Sequence, residues 1–515
     1  MAYGVMVLRL THPRTLGPAA LISALGVLAL IFATTPAQAA QNPVAVGTWS
    51  MVPQSKDADG DGFIDGDGGV PRTGALSLQP STTFKGEGNY IAQPNERLIG
   101  GALSWYLNPE GFPVSLNACK SKGDSYTWTI QRGGTVVKTT RPIKLTKKTC
   151  RQSVTLPEGL HSLKLTVRSG PKIKRESMVA NVSNTLMVVM GDSYASGEGN
   201  PRNVDAWLNN RSTYFSPYWD NDQCNRSTRG GPAQAALLLE KASTKNSVTL
   251  VDVSCSGATV NRGILGSQYS GLPSQVEQVT QIIGNSQIDV LSLTVGGNDV
   301  GFASVLTTCA LNANCPLARA TSGPLSSYPT IQDGIQAQTA NLANAYQSIN
   351  ECFTGGSCQS PQGANIASLS MAPRGQVFLN SYPDLTRNAN GSICSYLTIT
   401  EADFDWARNT ILNPSPPNPF AYTTTRNQVV DLSAAASSLN GQINSTNILG
   451  WQPVMGVWGA SGDSTVGHGV CAGSQAWVFG LTGFSGFTSG SFHPNPQGQV
   501  EIGKALSSQV KASGF

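Results

Sequence analysis

Two textures divide the chain. Between residues 74 and 183 apolar and polar positions alternate with a period of two, as in Tyr126-Thr127-Trp128-Thr129-Ile130. A strand with that period buries one face and leaves the other to water. The run at 135–139 follows Gly133-Gly134, and the run at 160–167 follows Pro157-Glu158-Gly159. Short strands separated by such turn residues predict an antiparallel sandwich, with Trp128 plugging its core.

From Leu186 onward the pattern changes. Leu186-Met187-Val188-Val189-Met190 is apolar without interruption and empties into Gly191-Asp192-Ser193-Tyr194-Ala195-Ser196-Gly197-Glu198-Gly199. Further strand-like runs lie at 248–254, 290–295, 376–380 and 452–457, with helix-like runs at 232–242, 333–349, 432–443 and 500–512. Strands apolar on both faces, alternating with helices, predict a parallel sheet covered on both sides. No repeat of fixed period is visible. A chain of 515 residues exceeds one ordinary core. The fold class expected is α/β for 184–515, preceded by a smaller all-β sandwich at 41–183.

Residues 1–40 read as a signal peptide. Arg9 and Arg14 supply the positive start, residues 19–33 the apolar stretch, and Ala37-Gln38-Ala39 a small-residue cleavage site. That stretch is shorter than the about 20 residues that span a bilayer, and no later segment is apolar enough to span. Charged residues make up 12% of the chain and the net charge is +4, which gives no basic stripe for nucleic acid. Export fits ten cysteines that lack metal-type C-x-x-C spacing. Cys309–Cys315 and Cys352–Cys358 would each clip a short loop, and Cys119–Cys150 belongs to the amino-terminal part. Cys224–Cys255 and Cys394–Cys471 are the remaining pairs expected, although sequence alone does not fix connectivity.

After the signal, Asp57, Asp59, Asp61 and Asp65 are spaced like the front half of a calcium loop, with glycines for the sharp turn. Gly68 stands where such a loop carries its bidentate Glu. The loop at 57–68 is therefore read either as a structural calcium site or as a solvated acidic turn.

Catalytic chemistry is expected around Ser193, because ligands of open α/β sheets collect outside the carboxyl ends of the strands. A plain strand–turn–helix junction would use the same Gly, Asp and Ser. A serine nucleophile needs a base, and the chain holds four histidines. His12 leaves with the signal, His161 sits in the β unit, and His468 precedes Cys471, where a structural role is expected. His493, in Ser491-Phe492-His493-Pro494-Asn495 ahead of the last helix, is the candidate general base. Acyl transfer also needs preorganised donors for the oxyanion. The turns Cys255-Ser256-Gly257-Ala258 and Gly296-Gly297-Asn298-Asp299 each follow a strand and offer the Gly257 N–H and the Asn298 amide.

Together these blocks resemble the SGNH (GDSL-type) hydrolases over residues 186–515. Gly191-Asp192-Ser193 is similar to the first family block, Gly257 to the second, Gly296-Gly297-Asn298-Asp299 to the third and His493-Pro494 to the fifth. The resemblance implies a flavodoxin-like three-layer α/β/α sandwich and a serine esterase without a catalytic metal or organic cofactor. It makes Ser193 the nucleophile and His493 the base, with the N–H groups of Ser193 and Gly257 and the amide of Asn298 as oxyanion hole. The extended blocks, including His468-Gly469-Val470-Cys471, are similar to secreted actinobacterial esterases and lipases, so an extracellular bacterial protein is expected. More loosely, residues 156–167 resemble late strands of PKD-like, immunoglobulin-type modules, which implies an Ig-like unit at 41–183.

One departure stands out. The family carries Asp three residues before the histidine, and Gly490 stands there. The Ser491 backbone carbonyl is the candidate third member, with Asp463 of a second Gly462-Asp463-Ser464 as rival. An α/β-hydrolase would need G-x-S-x-G, yet Ala195 occupies the last position. Segments 205–223, 400–425 and 480–490, the last with Phe484 and Phe487, are expected to line an acyl pocket for lipid or aryl esters. Acetylated polysaccharide is the alternative substrate. A non-enzymatic reading remains, a surface glycan-binding or adhesion protein on an inactive scaffold. The β unit is the expected contact to glycan or cell wall.

Overall fold

A computed structural model describes residues 41–55, 57, 60, 62–64, 98–99, 102–103, 111–210, 216–312, 314–407, 442–443, 446–454, 467–482 and 490–515. The signal stretch, the helix expected at 432–443 except its last two residues, Asp463, Phe484 and Phe487 lie outside the described residues, as do Asp59, Asp61 and Asp65.

The amino-terminal part folds as two antiparallel sheets on one core. Strands β1 (Thr48–Met51), β2 (Phe112–Asn117) and β6 (Arg151–Leu156) form the first sheet. The second holds β3 (Ser125–Arg132), β4 (Thr135–Thr139), β5 (Ile143–Lys144), β7 (Gly159–Ser169) and the start of β8 (Lys172–Gly191). Every second residue points inward: Tyr126, Trp128 and Ile130 from β3 meet Val114 and Leu116 from β2 and Leu163, Leu165 and Val167 from β7.

Strand β8 is 20 residues long and serves both units. Residues 172–182 pair antiparallel with β7, and 183–191 pair in parallel with β9 (Asn246–Asp252) and β10 (Ile288–Thr294). Strands β11 (Met371–Asn380) and β12 (Gln452–Val454) complete the parallel part. In chain order that part runs 2-1-3-4-5, with a topological switch beside β8, between β9 and β10. Crevices for ligands open at such a switch, beyond the carboxyl ends of the strands.

Alternation along β8 assigns its two faces. Leu186, Val188 and Met190 join Val276 and Val279 of α3 (Gln275–Ile283) and Ile335, Leu342 and Tyr346 of α5 (Ile331–Glu351). Met187 and Val189 face the other way, onto Ala233, Ala236 and Leu237 of α2 (Gly231–Ala242) and Leu506 and Val510 of α6 (Pro496–Ala512). A further helix, α4 (Phe302–Leu311), follows β10. Each fully buried aliphatic side chain of this kind contributes about 1.5–3 kcal/mol.

The ten cysteines form Cys119–Cys150, Cys224–Cys255, Cys309–Cys315, Cys352–Cys358 and Cys394–Cys471. The segment after β1 docks on α2: the Gln54 N–H reaches Glu240, and Phe63 lies under the Arg229 guanidinium at 4.3 Å. Asp57 pairs with Lys241 at 2.5 Å, and this bond holds its carboxyl below the usual range. Among the described residues no helix is long and apolar enough to cross a membrane, and no cluster of three metal-binding side chains occurs.

Candidate active site

Strand β8 ends at Gly191, and the chain must turn at once. Gly191 has φ of 144°, and a Cβ there would collide with the Thr294 carbonyl oxygen of the neighbouring strand. Gln275 clamps this residue from α3: its oxygen accepts the Gly191 N–H at 2.7 Å and its amide donates to the Gly191 carbonyl at 2.8 Å. The next residue, Asp192, caps the short helix α1 (Ser193–Ser196) by accepting the Tyr194 N–H at 3.0 Å. Ser193 thus opens a helix at the switch point, 7% exposed.

Asp192 links the first turn to the third. Its other oxygen accepts the Tyr382 hydroxyl, and the same hydroxyl accepts the Gly297 N–H at 3.0 Å. Burial pushes the Asp192 carboxyl up to about 7, opposed by the Tyr382 and Tyr194 hydrogen bonds. The turn carrying Gly257 adds to the network. The Cys255 N–H donates to the Gly191 carbonyl at 2.9 Å, and Gly257 adopts the left-handed φ of 78°. Asn298 donates its amide to the Ala258 carbonyl at 3.0 Å, and Asp299 accepts the Val260 N–H at 3.1 Å. Burial raises the Asp299 carboxyl to about 6. Gly257 and Asn298 together border a cleft of about 480 Å³ whose walls carry Thr259, Asn261, Arg262 and Gln338.

His493 arrives from the far end of the chain. Its carbonyl accepts the Phe479 N–H at 2.8 Å, which pairs its loop with residues 478–479. The carbonyls on either side of it are both held by the Ser193 turn. Tyr194 donates its hydroxyl to the Phe492 carbonyl at 2.8 Å, and Asn200 donates its amide to the Pro494 carbonyl at 2.6 Å. Phe492 takes a left-handed φ of 59° to present that carbonyl. The Tyr194 and His493 rings lie 5.3 Å apart, and a Cβ at Gly199 would sit 3.2 Å from the His493 Cβ.

The imidazole has a defined orientation. Its Nδ1 lies 2.9 Å from the Ser491 carbonyl oxygen. A carbonyl only accepts, so Nδ1 carries the proton and Nε2 keeps a lone pair. Nε2 faces Glu198 Oε2 at 3.5 Å, and no hydrogen bond joins it to the Ser193 hydroxyl. The other described histidines are elsewhere: His161 is buried in the β unit, with Nδ1 3.0 Å from the Gly159 carbonyl, and His468 stacks on Trp477 at 3.6 Å.

Sequence reasoning missed Glu198, Tyr382 and Gln275 as parts of this site. Glu198 lies inside the quoted motif, and a buried acid between two glycines was a signal open to reading. Tyr382 and Gln275 belong to strand-end and helix positions that no local pattern distinguishes.

No protein-family model matches the chain. Part of it is 32% identical over 130 residues to a lipase of Streptomyces rimosus, covering 25% of this chain and 36% of that protein. The chain is also 28% identical over 160 residues to lipase 1 of Streptomyces coelicolor, covering 30% of this chain and 47% of the lipase. The chain thus spans less than half the length of these relatives. Among solved structures, an active-site mutant of a family two carbohydrate esterase from Clostridium thermocellum aligns with TM-score 0.27 and 13% identity, covering 78% of this chain and 92% of that one. A carbohydrate acetylesterase from Xanthomonas citri aligns with TM-score 0.18 and 8% identity, covering 58% and 62%. At such scores neither likeness carries an argument.

Proposed function

We propose that the chain is a secreted serine esterase of the SGNH (GDSL-type) kind. In this reading residues 184–515 form a flavodoxin-like α/β/α sandwich behind a PKD/Ig-like module. Ser193 Oγ attacks an ester carbonyl while its proton passes to His493 Nε2. The N–H groups of Ser193 and Gly257 and the Asn298 amide receive the oxyanion. Collapse expels the alcohol, which leaves with the proton from Nε2, and water repeats the cycle on the acyl-enzyme. The Ser491 carbonyl orients the ring in place of a side-chain acid. No catalytic metal is needed.

The observation that supports this reading most is the double anchor on the histidine loop. Tyr194 and Asn200, both on the stretch that follows Ser193, hold the carbonyls on either side of His493, about 300 positions away in sequence. Catalytic hydrogen bonds often tighten only in the substrate complex, so a turn of Nε2 from Glu198 toward Oγ is compatible with the mechanism.

Lipid or aryl esters are the substrates proposed first, on the partial identity to two lipases. Acetylated polysaccharide is a second reading, favoured by the hydrogen-bonding side chains of Thr259, Asn261, Arg262 and Gln338 in the cleft beside Gly257 and Asn298. The test is labelling by a fluorophosphonate probe, with Ser193→Ala as control. Label on the native chain only is expected, and equal labelling of both would leave the glycan-binding reading standing. Rates on p-nitrophenyl esters of increasing chain length, acetyl-xylan and phospholipid then separate the substrate classes.

A further inference from the structure

Glu198 is the carboxylate nearest the histidine, and its surroundings are built around it. Its side chain is 10% exposed. Oε2 accepts the Ser256 hydroxyl and lies 3.5 Å from His493 Nε2, while Oε1 accepts the Asn225 amide at 3.0 Å. Ser256 and Asn225 each follow one half of the Cys224–Cys255 bridge, and the Ser256 N–H donates to the Cys224 carbonyl at 3.0 Å. Asn225 adopts a left-handed φ of 44°, a rare conformation for a side chain of any size. Two loops, tied by a disulfide, thus converge on one buried acid. The carboxylate is held with its Oε2 toward Nε2, and the Glu198 backbone N–H donates to the Ser193 carbonyl at 3.1 Å.

Chemistry gives this placement a use. When His493 takes the Ser193 proton the ring becomes cationic, and among the described residues the group behind it at Nδ1 is the Ser491 carbonyl. A carbonyl dipole orients the ring but supplies no net charge. A carboxylate in a poorly hydrated site does.

We infer that Glu198 is a positioning residue that supplies, on the Nε2 side of His493, the negative charge the chain lacks at position 490. It rests on the esterase reading. Glu198 does not take the proton: the Oγ proton moves to Nε2, then to the leaving oxygen, and Glu198 stays ionised beside the imidazolium. Through Ser256 the same carboxylate fixes the turn bearing Gly257, so base and oxyanion donor keep their relation.

The experiment uses the full secreted chain with p-nitrophenyl butyrate and a fluorophosphonate. Ser193→Ala comes first: if it turns over as fast as the native chain, the esterase reading fails and the Glu198 inference with it. With Ser193→Ala inactive, Glu198→Gln is compared with Glu198→Asp. Gln keeps the shape and an acceptor for Ser256 but turns its NH2 toward the Asn225 amide, so the melting temperature is read beside kcat. The expected result is a kcat lower by roughly 10–100-fold with KM little changed, slower labelling in the same proportion, and partial recovery in Glu198→Asp. A kcat equal to the native value in Glu198→Gln would overturn the inference. So would an equal loss in both variants accompanied by a raised KM and a lowered melting temperature, which is the signature of a brace alone.

Discussion

The Asp192 carboxyl makes the stability of this protein depend on pH in a calculable way. Its folded value is about 7, against 3.8 for the free side chain, because complete burial outweighs the hydrogen bonds from Tyr382 and Tyr194. Between those values the native state binds a proton that the unfolded chain has released. Stability therefore falls as pH rises through this window, by about 1.4 kcal/mol per pH unit. The contribution is complete below about 3.8 and lost above about 7, roughly 4 kcal/mol in all. Asp299 and Asp252, raised to about 6, and Glu240, raised to about 7, are all displaced chiefly by burial and act in the same direction. Melting temperatures measured at fixed ionic strength from pH 5 to 8 should fall with pH. Asp192→Asn presents one acceptor and one donor, like the protonated acid, and cannot ionise. Its melting temperature should decline less steeply than that of the native chain, by about 2 °C per pH unit. Equal slopes for the two proteins, or a native melting temperature that climbs from pH 5 to 7, would refute the reasoning.

Other expectations follow from single contacts. Gly191→Ala drives a methyl into the Thr294 carbonyl at a left-handed position and should lower stability by more than about 3 kcal/mol, read by urea unfolding. Tyr194→Phe removes the hydroxyl that holds the Phe492 carbonyl; it should cut kcat several-fold on p-nitrophenyl esters at a cost of about 1 kcal/mol in stability. The 57–68 loop is tested by chelation. Lys241 already balances Asp57, so EDTA should move the melting temperature by less than about 2 °C, and a larger drop reversed by calcium would make the loop a metal site.

Much of the parallel sheet could be read locally, because burial on both faces forces an unbroken apolar run. Residues 186–190 gave the central strand, and the helix-like runs at 232–242, 333–349 and 500–512 fall within α2, α5 and α6. The runs that formed α3 and α4 escaped notice. Gln275–Ile283 mixes Gln and Glu with its Val and Ile, and Phe302–Leu311 is broken by Thr. Site geometry was legible only where function demands a residue type. Ser193 and His493 stand out because the residue types proposed as nucleophile and base are scarce, whereas Glu198 contacts three partners drawn from three other loops. Nothing in a linear pattern reports that convergence.

The boundary expected at residue 183 falls inside one continuous strand, where its pairing passes from antiparallel to parallel. Lys172–Gly191 carries an antiparallel ladder into the β unit and a parallel one into the second sheet. Around the handover, Asn184 donates its N–H to Glu158 at 2.8 Å, and its side-chain oxygen accepts the hydroxyls of Ser247 and Thr249 at 2.9 Å. A hinge needs a few residues free to change φ and ψ, and here both neighbours of the chain are already hydrogen-bonded to it. The Met51 N–H donates to the Thr244 carbonyl just beyond α2, and the Gln54 N–H donates to Glu240 within it. The strand that delivers Ser193 to the switch point is thus anchored at its far end in a second hydrophobic core. The position of Ser193 accordingly depends on packing in both units.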